Sequence, residues 1–189
     1  MTSKHRELPD RFVLTDALRD IDPFQQLAQL KSTDIFILRH YEWAPRDRLA
    51  LAHTLRKESR ARGVRFLVAG DYRLACEARA DGLHLPSWMV RRGDVWGLRR
   101  KPGWIIIAAA HSEPELRAAW LTGADAALLS PVFATASHPS ARTLGVIRFA
   151  RLAVSAAMPV YALGGVTLSS QKRLSKVANL TGYATVSAV

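Results

Sequence analysis

The sequence is short of several things, and each shortage excludes a class of protein. It has one cysteine, Cys76, inside a helical pattern, so no internal disulfide can form and no second thiol exists for a zinc site. No apolar run reaches the roughly 18 residues of a membrane span. Residues 1–10 are polar, without the apolar core of a secretory signal. A cytoplasmic protein with no membrane partner is therefore expected. There is no internal repeat, and no Gly-rich turn follows the first strand-like run, which argues against an open, doubly wound dinucleotide-binding sheet.

Acidic side chains are also scarce. Against 27 Lys and Arg there are 16 Asp and Glu, a net charge of +11. Such a balance suits nucleic acid, a membrane surface or a small polyanion. The charges are spread out, and the densest run, residues 91–101 (RRGDVWGLRRK), reads as a solvated connection even with Trp96 interleaved. No nucleic-acid partner is expected, and a small anionic ligand remains.

What is present is rhythm. With 189 residues, 49% of them hydrophobic, the chain is read as a flexible segment 1–10 followed by one domain over 11–189. Strands are expected at residues 11–15 (RFVLT), 35–39 (IFILR), 65–69, 82–85, 104–110, 126–130, 160–165 (VYALGG) and 184–189 (ATVSAV). Helical patterns lie between them. The longest, 45–62, opens on Pro45, places Leu51, Ala52, Leu55 and Ser59 on one face and stops at Gly63; Asp71 and Ser112 are N-caps for two others. Eight strands alternating with helices predict a (β/α)8 TIM barrel of a single domain. The length falls below the roughly 200 residues usual for that fold, and the element unaccounted for is the last helix. An uncovered eighth strand in turn leads to the expectation of a homodimer.

Functional residues are sought where parallel strands end. The stretch 123–145 (GADAALLSPVFATASHPSARTLG) runs from a buried strand into a loop bearing Thr135, Ser137 and His138, all able to donate hydrogen bonds to an anion. Gly164 and Gly165 end the seventh strand, where the lack of a Cβ lets backbone approach an anion, and Val186 with Ser187 ends the eighth. Together these six residues, Thr135, Ser137, Gly164, Gly165, Val186 and Ser187, form a candidate phosphate site. His84 and His111 stand at strand ends as well, but with no third ligand they are read as loop-capping histidines, and no metal site is expected from them.

The blocks ADGLHL (80–85), AAHS (109–112), GADAALLSPVFATASH (123–138), ALGGV (162–166) and ATVSAV (184–189), in this order, resemble the thiamine-phosphate synthase and thiazole tautomerase family. The resemblance covers nearly the whole chain and is strongest from residue 104 onward. It implies a (β/α)8 barrel in thiamine biosynthesis, binding a small phosphorylated heterocycle, and a transferase that joins a thiazole phosphate to a pyrimidine pyrophosphate with magnesium. Carried over residue by residue, it implies thiazole-phosphate contacts at Thr135, Ser137, Gly164, Gly165, Val186 and Ser187, and pyrophosphate contacts at Arg39 and His138. His138 stands where the family has lysine, and of its Gln-x-Arg-x-Lys at strand two only Arg39 remains. The family's metal-ligand positions fall on Ala69, Gly70 and a site near Met89, none able to hold a hard cation, so a magnesium cofactor is not expected. The competing reading is a non-catalytic ligand-binding or regulatory barrel. The histidine that marks the tautomerases is Pro131 here.

Overall fold

The computed structural model describes residues 8–19, 21–92, 101–135 and 142–186. Eight strands, β1 (Arg11–Leu14), β2 (Ile35–Leu38), β3 (Arg65–Ala69), β4 (Gly82–Leu85), β5 (Ile105–Ala110), β6 (Ala126–Leu129), β7 (Val160–Leu163) and β8 (Leu180–Thr185), close into a barrel in sequence order. Every neighbouring pair is parallel, including β1 with β8, where Phe12 lies opposite Ala184. Between them run α1 (Pro23–Ala28), α2 (Pro45–Ala61), α3 (Tyr72–Glu77), α4 (Ser87–Arg92), α5 (Glu113–Leu121), α6 (Gly145–Ser155) and α7 (Leu168–Leu174). This is the expected (β/α)8 barrel.

The helices start where capping chemistry says they should. Asp22, Asp71 and Ser112 accept hydrogen bonds from the backbone N–H of Phe24, Leu74 and Glu115, and Thr167 makes a reciprocal cap with Ser170. In α2 the expected face is buried: Leu51, Ala52, Leu55 and Ser59, joined by Arg48.

Alternation along the strands divides the core in two. Val13, Phe36, Phe66, Leu83, Ala127 and Val160 face outward into the layer shared with the helices. Phe12, Ile35, Leu67, Ile107, Leu128 and Tyr161 face inward and fill the barrel. Both sets are removed from water, which is why the strands read as unbroken apolar runs. Aspartates pin strand starts: Asp81 accepts from Phe66 N–H at 2.8 Å and takes Arg56 through both oxygens, and Asp125 accepts from Ile106 N–H at 2.8 Å.

β8 is displaced from the expected 184–189 to Leu180–Thr185. Asn179, at φ 62, turns the chain into the strand, and Leu180 then pairs with Val160 of β7. The run LTGYAT mixes polar residues and glycine with apolar ones, so it reads as a connection. In the barrel those residues have a different task. Tyr183 N–H donates to the Asp10 carbonyl at 3.1 Å, and a Cβ on Gly182 would lie 2.1 Å from the Asp10 oxygen. Leu8 packs on the inner cluster and the Tyr161 hydroxyl donates to the Pro9 carbonyl, so residues 8–10 plug the barrel's lower end.

Gly82 is the counterpart on β4: a Cβ there would lie 2.0 Å from the Ile105 carbonyl oxygen. Backbone cannot yield as a flexible side chain can, so Gly82→Ala is expected to destabilise the fold by at least about 2 kcal/mol. Urea unfolding with unchanged slope measures it.

Candidate functional site

The carboxyl ends of the strands open onto one cavity of about 990 Å³. Its floor is formed by inward residues at the top of the barrel, among them Leu14, His84, Ala109, Leu163 and Ala184. Above them the wall is polar, and its two sides are built differently.

On the side of β6, β7 and β8 the donors are backbone. Gly164 and Gly165 take φ of 92 and 62, values that L side chains avoid. Among the described residues none accepts from the N–H of Gly164, Gly165 or Val166. Thr135, Thr167 and Ser169 line the same wall. The glycines also have a packing reason. Val132 N–H donates to the Leu163 carbonyl and Phe133 N–H to the Gly164 carbonyl, both at 3.0 Å, which draws the loop after β6 onto the end of β7. A Cβ on Gly165 would lie 2.4 Å from the Ala134 oxygen, and one on Gly164 2.9 Å from Pro131 Cα. The close approach that needs glycine is what brings Thr135 beside these N–H groups. Val186, just past β8, lines the cavity too, and its carbonyl is held by the Gln26 side chain from α1.

On the side of β1 and β2 the donors are side chains. The Thr15 hydroxyl accepts from Arg39 N–H at 2.9 Å and is hydrogen-bonded to His40 Nδ1 at 2.8 Å, fixing the turn after β2. Burial holds His40 below its ordinary pKa. Arg39 thereby enters the cavity wall, and among the described residues no carboxylate pairs with it. Its guanidinium stacks on Tyr41, 5.8 Å from the ring centroid, while Arg48 approaches the same ring at 5.4 Å. Burial pushes the Tyr41 phenol up to about 12, so it remains a neutral O–H donor. Arg19, beside Asp16, completes this wall.

Two histidines stand between the sides. His111 Nδ1–H donates to the Ser130 carbonyl at 2.8 Å. Its N–H is held by Glu115, which in turn pairs with Arg91 at 2.6 Å. His84 is buried in the barrel mouth, and neither ring nitrogen has a partner among the described residues. Burial, with Arg39 adding to it, lowers its pKa to about 3.

Of the expected phosphate residues the structure gathers Thr135, Gly164, Gly165 and Val186 at one wall, and it sets Arg39 at another. Ser137, His138 and Ser187 lie outside the described residues. Sequence reasoning missed Asp16, Arg19, Tyr41, Thr167 and Ser169. Asp16 and Tyr41 follow strand ends, which was the available signal. Gln26 had none, because its partner is 160 residues away.

Fold and cavity define a (β/α)8 barrel whose mouth is a cavity lined with hydrogen-bond donors. Comparison makes this specific. The sequence profile described as thiamine monophosphate synthase matches residues 13–189, and the chain belongs to that family. It is 32% identical over 189 residues to the thiamine-phosphate synthase of Methanoculleus marisnigri, covering 95% of this chain and 87% of the relative. To the thiamine-phosphate synthase of Geobacillus thermodenitrificans it is 31% identical, over 100% of this chain and 81% of the relative. Thiamine phosphate pyrophosphorylase from Pyrococcus furiosus has the same fold, with a TM-score of 0.77 at 23% identity over 96% of this chain and 87% of that one.

The magnesium implied by the resemblance can be tested against the residues present. Ala69 offers only its carbonyl, which already accepts from Arg48 Nη2 at 2.5 Å. Gly70 has φ 69, and a side chain there would meet Tyr41 Cε1 at 2.9 Å. Asp71 caps α3, and Met89 is buried in the apolar layer. Among the described residues no group of three or more His, Cys, Asp or Glu gathers. A hard cation needs several oxygens and tolerates no neighbouring guanidinium in their place. These residues do not fit magnesium.

The unpartnered imidazole yields a prediction. Between pH 6.5 and about 3 the unfolded chain protonates His84 and the folded chain does not, so the unfolded state binds more protons and stability falls as pH falls. The slope contributed is at most about 1.4 kcal/mol per pH unit. Thermal unfolding followed from pH 7 to 4.5 should show this loss, and His84→Leu should reduce it while matching or exceeding wild-type stability at pH 7.

Proposed function

We propose that this protein binds a phosphorylated thiazole and joins it to a pyrimidine pyrophosphate, forming thiamine phosphate. The observation that carries the reading is one cavity with two anion-directed walls. A space of about 990 Å³ takes two small heterocycles side by side. The thiazole phosphate is assigned to the backbone N–H groups of Gly164, Gly165 and Val166 with the Thr135 hydroxyl, the position at which barrels of this kind hold phosphate. Ser137 and Ser187 are assigned to the same site from the family resemblance. The pyrophosphate is assigned to Arg39, with His138 from the resemblance.

In this reading the bond between the pyrimidine's carbon and the pyrophosphate oxygen breaks, the electron pair leaves with the pyrophosphate, and a bond to the thiazole forms. The chain's part is to align the two partners and to stabilise negative charge on the departing oxygens. Arg39 supplies a fixed positive charge there, and the apolar floor excludes water from below. His84 offers a neutral imidazole to whichever ring lies over it.

The family's place in thiamine biosynthesis supports the reading, as do the relatives named for thiamine-phosphate synthesis. No helix among the described residues is long and apolar enough to cross a membrane. A homodimer is part of the proposal, since Trp120, Leu121, Ile147 and Val154 leave α5 and α6 with exposed apolar side chains that a second copy would cover.

Incubation with both substrates is expected to yield thiamine phosphate and pyrophosphate in equal amounts. Thiazole phosphate alone, at about ten times its Kd, should raise the melting temperature by about 3 °C. Gly165→Leu should abolish that shift and Thr135→Val reduce it. Equal shifts in wild type and both variants would place the phosphate elsewhere, and no product from well-folded protein would leave the non-catalytic barrel as the reading.

A further inference from the structure

The region around Ala69 and Gly70 does more than fail to fit a divalent cation; it is filled by something else. Gly70 has no side chain, and the space a Cβ would enter is taken by the Tyr41 ring, 2.9 Å from its ideal position, with Pro86 Cγ at 3.3 Å. Beside that ring lies Arg48, 7% exposed, donating to the Ala69 carbonyl at 2.5 Å and lying 3.9 Å from Asp71. Arg39 approaches the same ring from the cavity wall and is without a carboxylate partner among the described residues. Two guanidinium groups thus lie 5.8 and 5.4 Å from the Tyr41 ring centroid, and Tyr41 lines the cavity.

A phosphate chain needs donors and compensating charge. Divalent cations commonly supply the charge, but an arginine supplies both at once, because its planar fork matches two phosphate oxygens. Here the charge is built into the protein. We propose that the β2–β3 side of the cavity binds pyrophosphate without a divalent cation, through the Arg39 guanidinium and the Tyr41 hydroxyl. Arg48 adds a fixed positive charge beside the Ala69 carbonyl and the Tyr41 ring. The proposal rests on the assignment of pyrophosphate to this wall, and adds that metal is dispensable for holding it.

The low count of acidic groups in the wall agrees with this. Asp16 is the only carboxylate among the described lining residues, and it is engaged with Leu18 N–H and Arg19. A divalent ion carried in by the ligand would find guanidinium groups where it needs oxygens, and would raise the positive charge of a wall that is already cationic.

The test uses the full chain and inorganic pyrophosphate, titrated by calorimetry in EDTA and again with excess magnesium. Binding in EDTA is expected to be at least as tight as with magnesium. Arg39→Gln should weaken it by about tenfold or more, the loss of a charge-assisted pair. Tyr41→Phe, which keeps the stacked ring and removes only the hydroxyl, should weaken it by about three- to tenfold. The thiazole-phosphate melting shift, read in the same variants, should persist and so show that they fold. Pyrophosphate binding that appears only on adding magnesium would overturn the proposal, as would unchanged affinity in Arg39→Gln. The functional reading fails separately. Metal-free pyrophosphate binding with no thiamine phosphate formed sinks that reading and leaves this one standing, whereas product formed only with magnesium does the reverse.

Discussion

Closure of β8 onto β1 is the constraint on which the rest of the molecule depends. Eight strands enclose a fixed volume, and every inward side chain competes for it. Tyr161 and Phe12 fill much of it, with ring centroids 4.6 Å apart in an edge-on pair, and the Tyr161 hydroxyl is spent on the Pro9 carbonyl. Room for these rings is balanced by Gly82 and Gly182, where neighbouring backbone leaves no space for a Cβ. The lower half is thus filled by apolar side chains and closed by residues 8–10, while the cavity opens at the upper end.

That upper end is built from two kinds of donor with different physical character. Backbone N–H groups at Gly164 to Val166 are held by the packing of the loop after β6 on β7, and they cannot be titrated or screened by a change of rotamer. Guanidinium and phenol groups on the β2 side carry full charge or a neutral hydroxyl on longer arms. A ligand phosphate that must stay put through a reaction suits the first kind. One that must develop charge and then depart suits the second, since side chains can follow it. His84 lies in the floor as a neutral ring with no partner among the described residues.

Much of this was legible from residue order. Seven of the eight strands stand within a residue or two of where apolar runs placed them, because a parallel sheet covered on both faces leaves an unbroken signal. β8 did not, since Gly182 and Tyr183 answer to close contacts with Asp10 at the other end of the chain and with Tyr161 on β7. In the cavity, Thr135, Gly164, Gly165 and Val186 could be found because loops after late strands are where barrels hold phosphate. Arg39 could be found as the basic end of a strand. The Tyr41 stack could not, because it depends on Arg48 reaching across from α2 and on a missing side chain at position 70. No local pattern records either.

The Tyr41, Arg48, Ala69 and Gly70 cluster also limits how the sequence can change. A carboxylate at position 70 would enter a left-handed backbone conformation and meet the Tyr41 ring, while a carboxylate at 69 would stand among the apolar side chains inside the barrel. No single substitution therefore leads from this arrangement to a metal-binding one. At least the ring, the guanidinium and the glycine must be exchanged together, and intermediates with only some of them carry a buried cation without its carbonyl or a carboxylate without its metal. The four positions thus constrain one another, and a change at any one of them is felt by the other three.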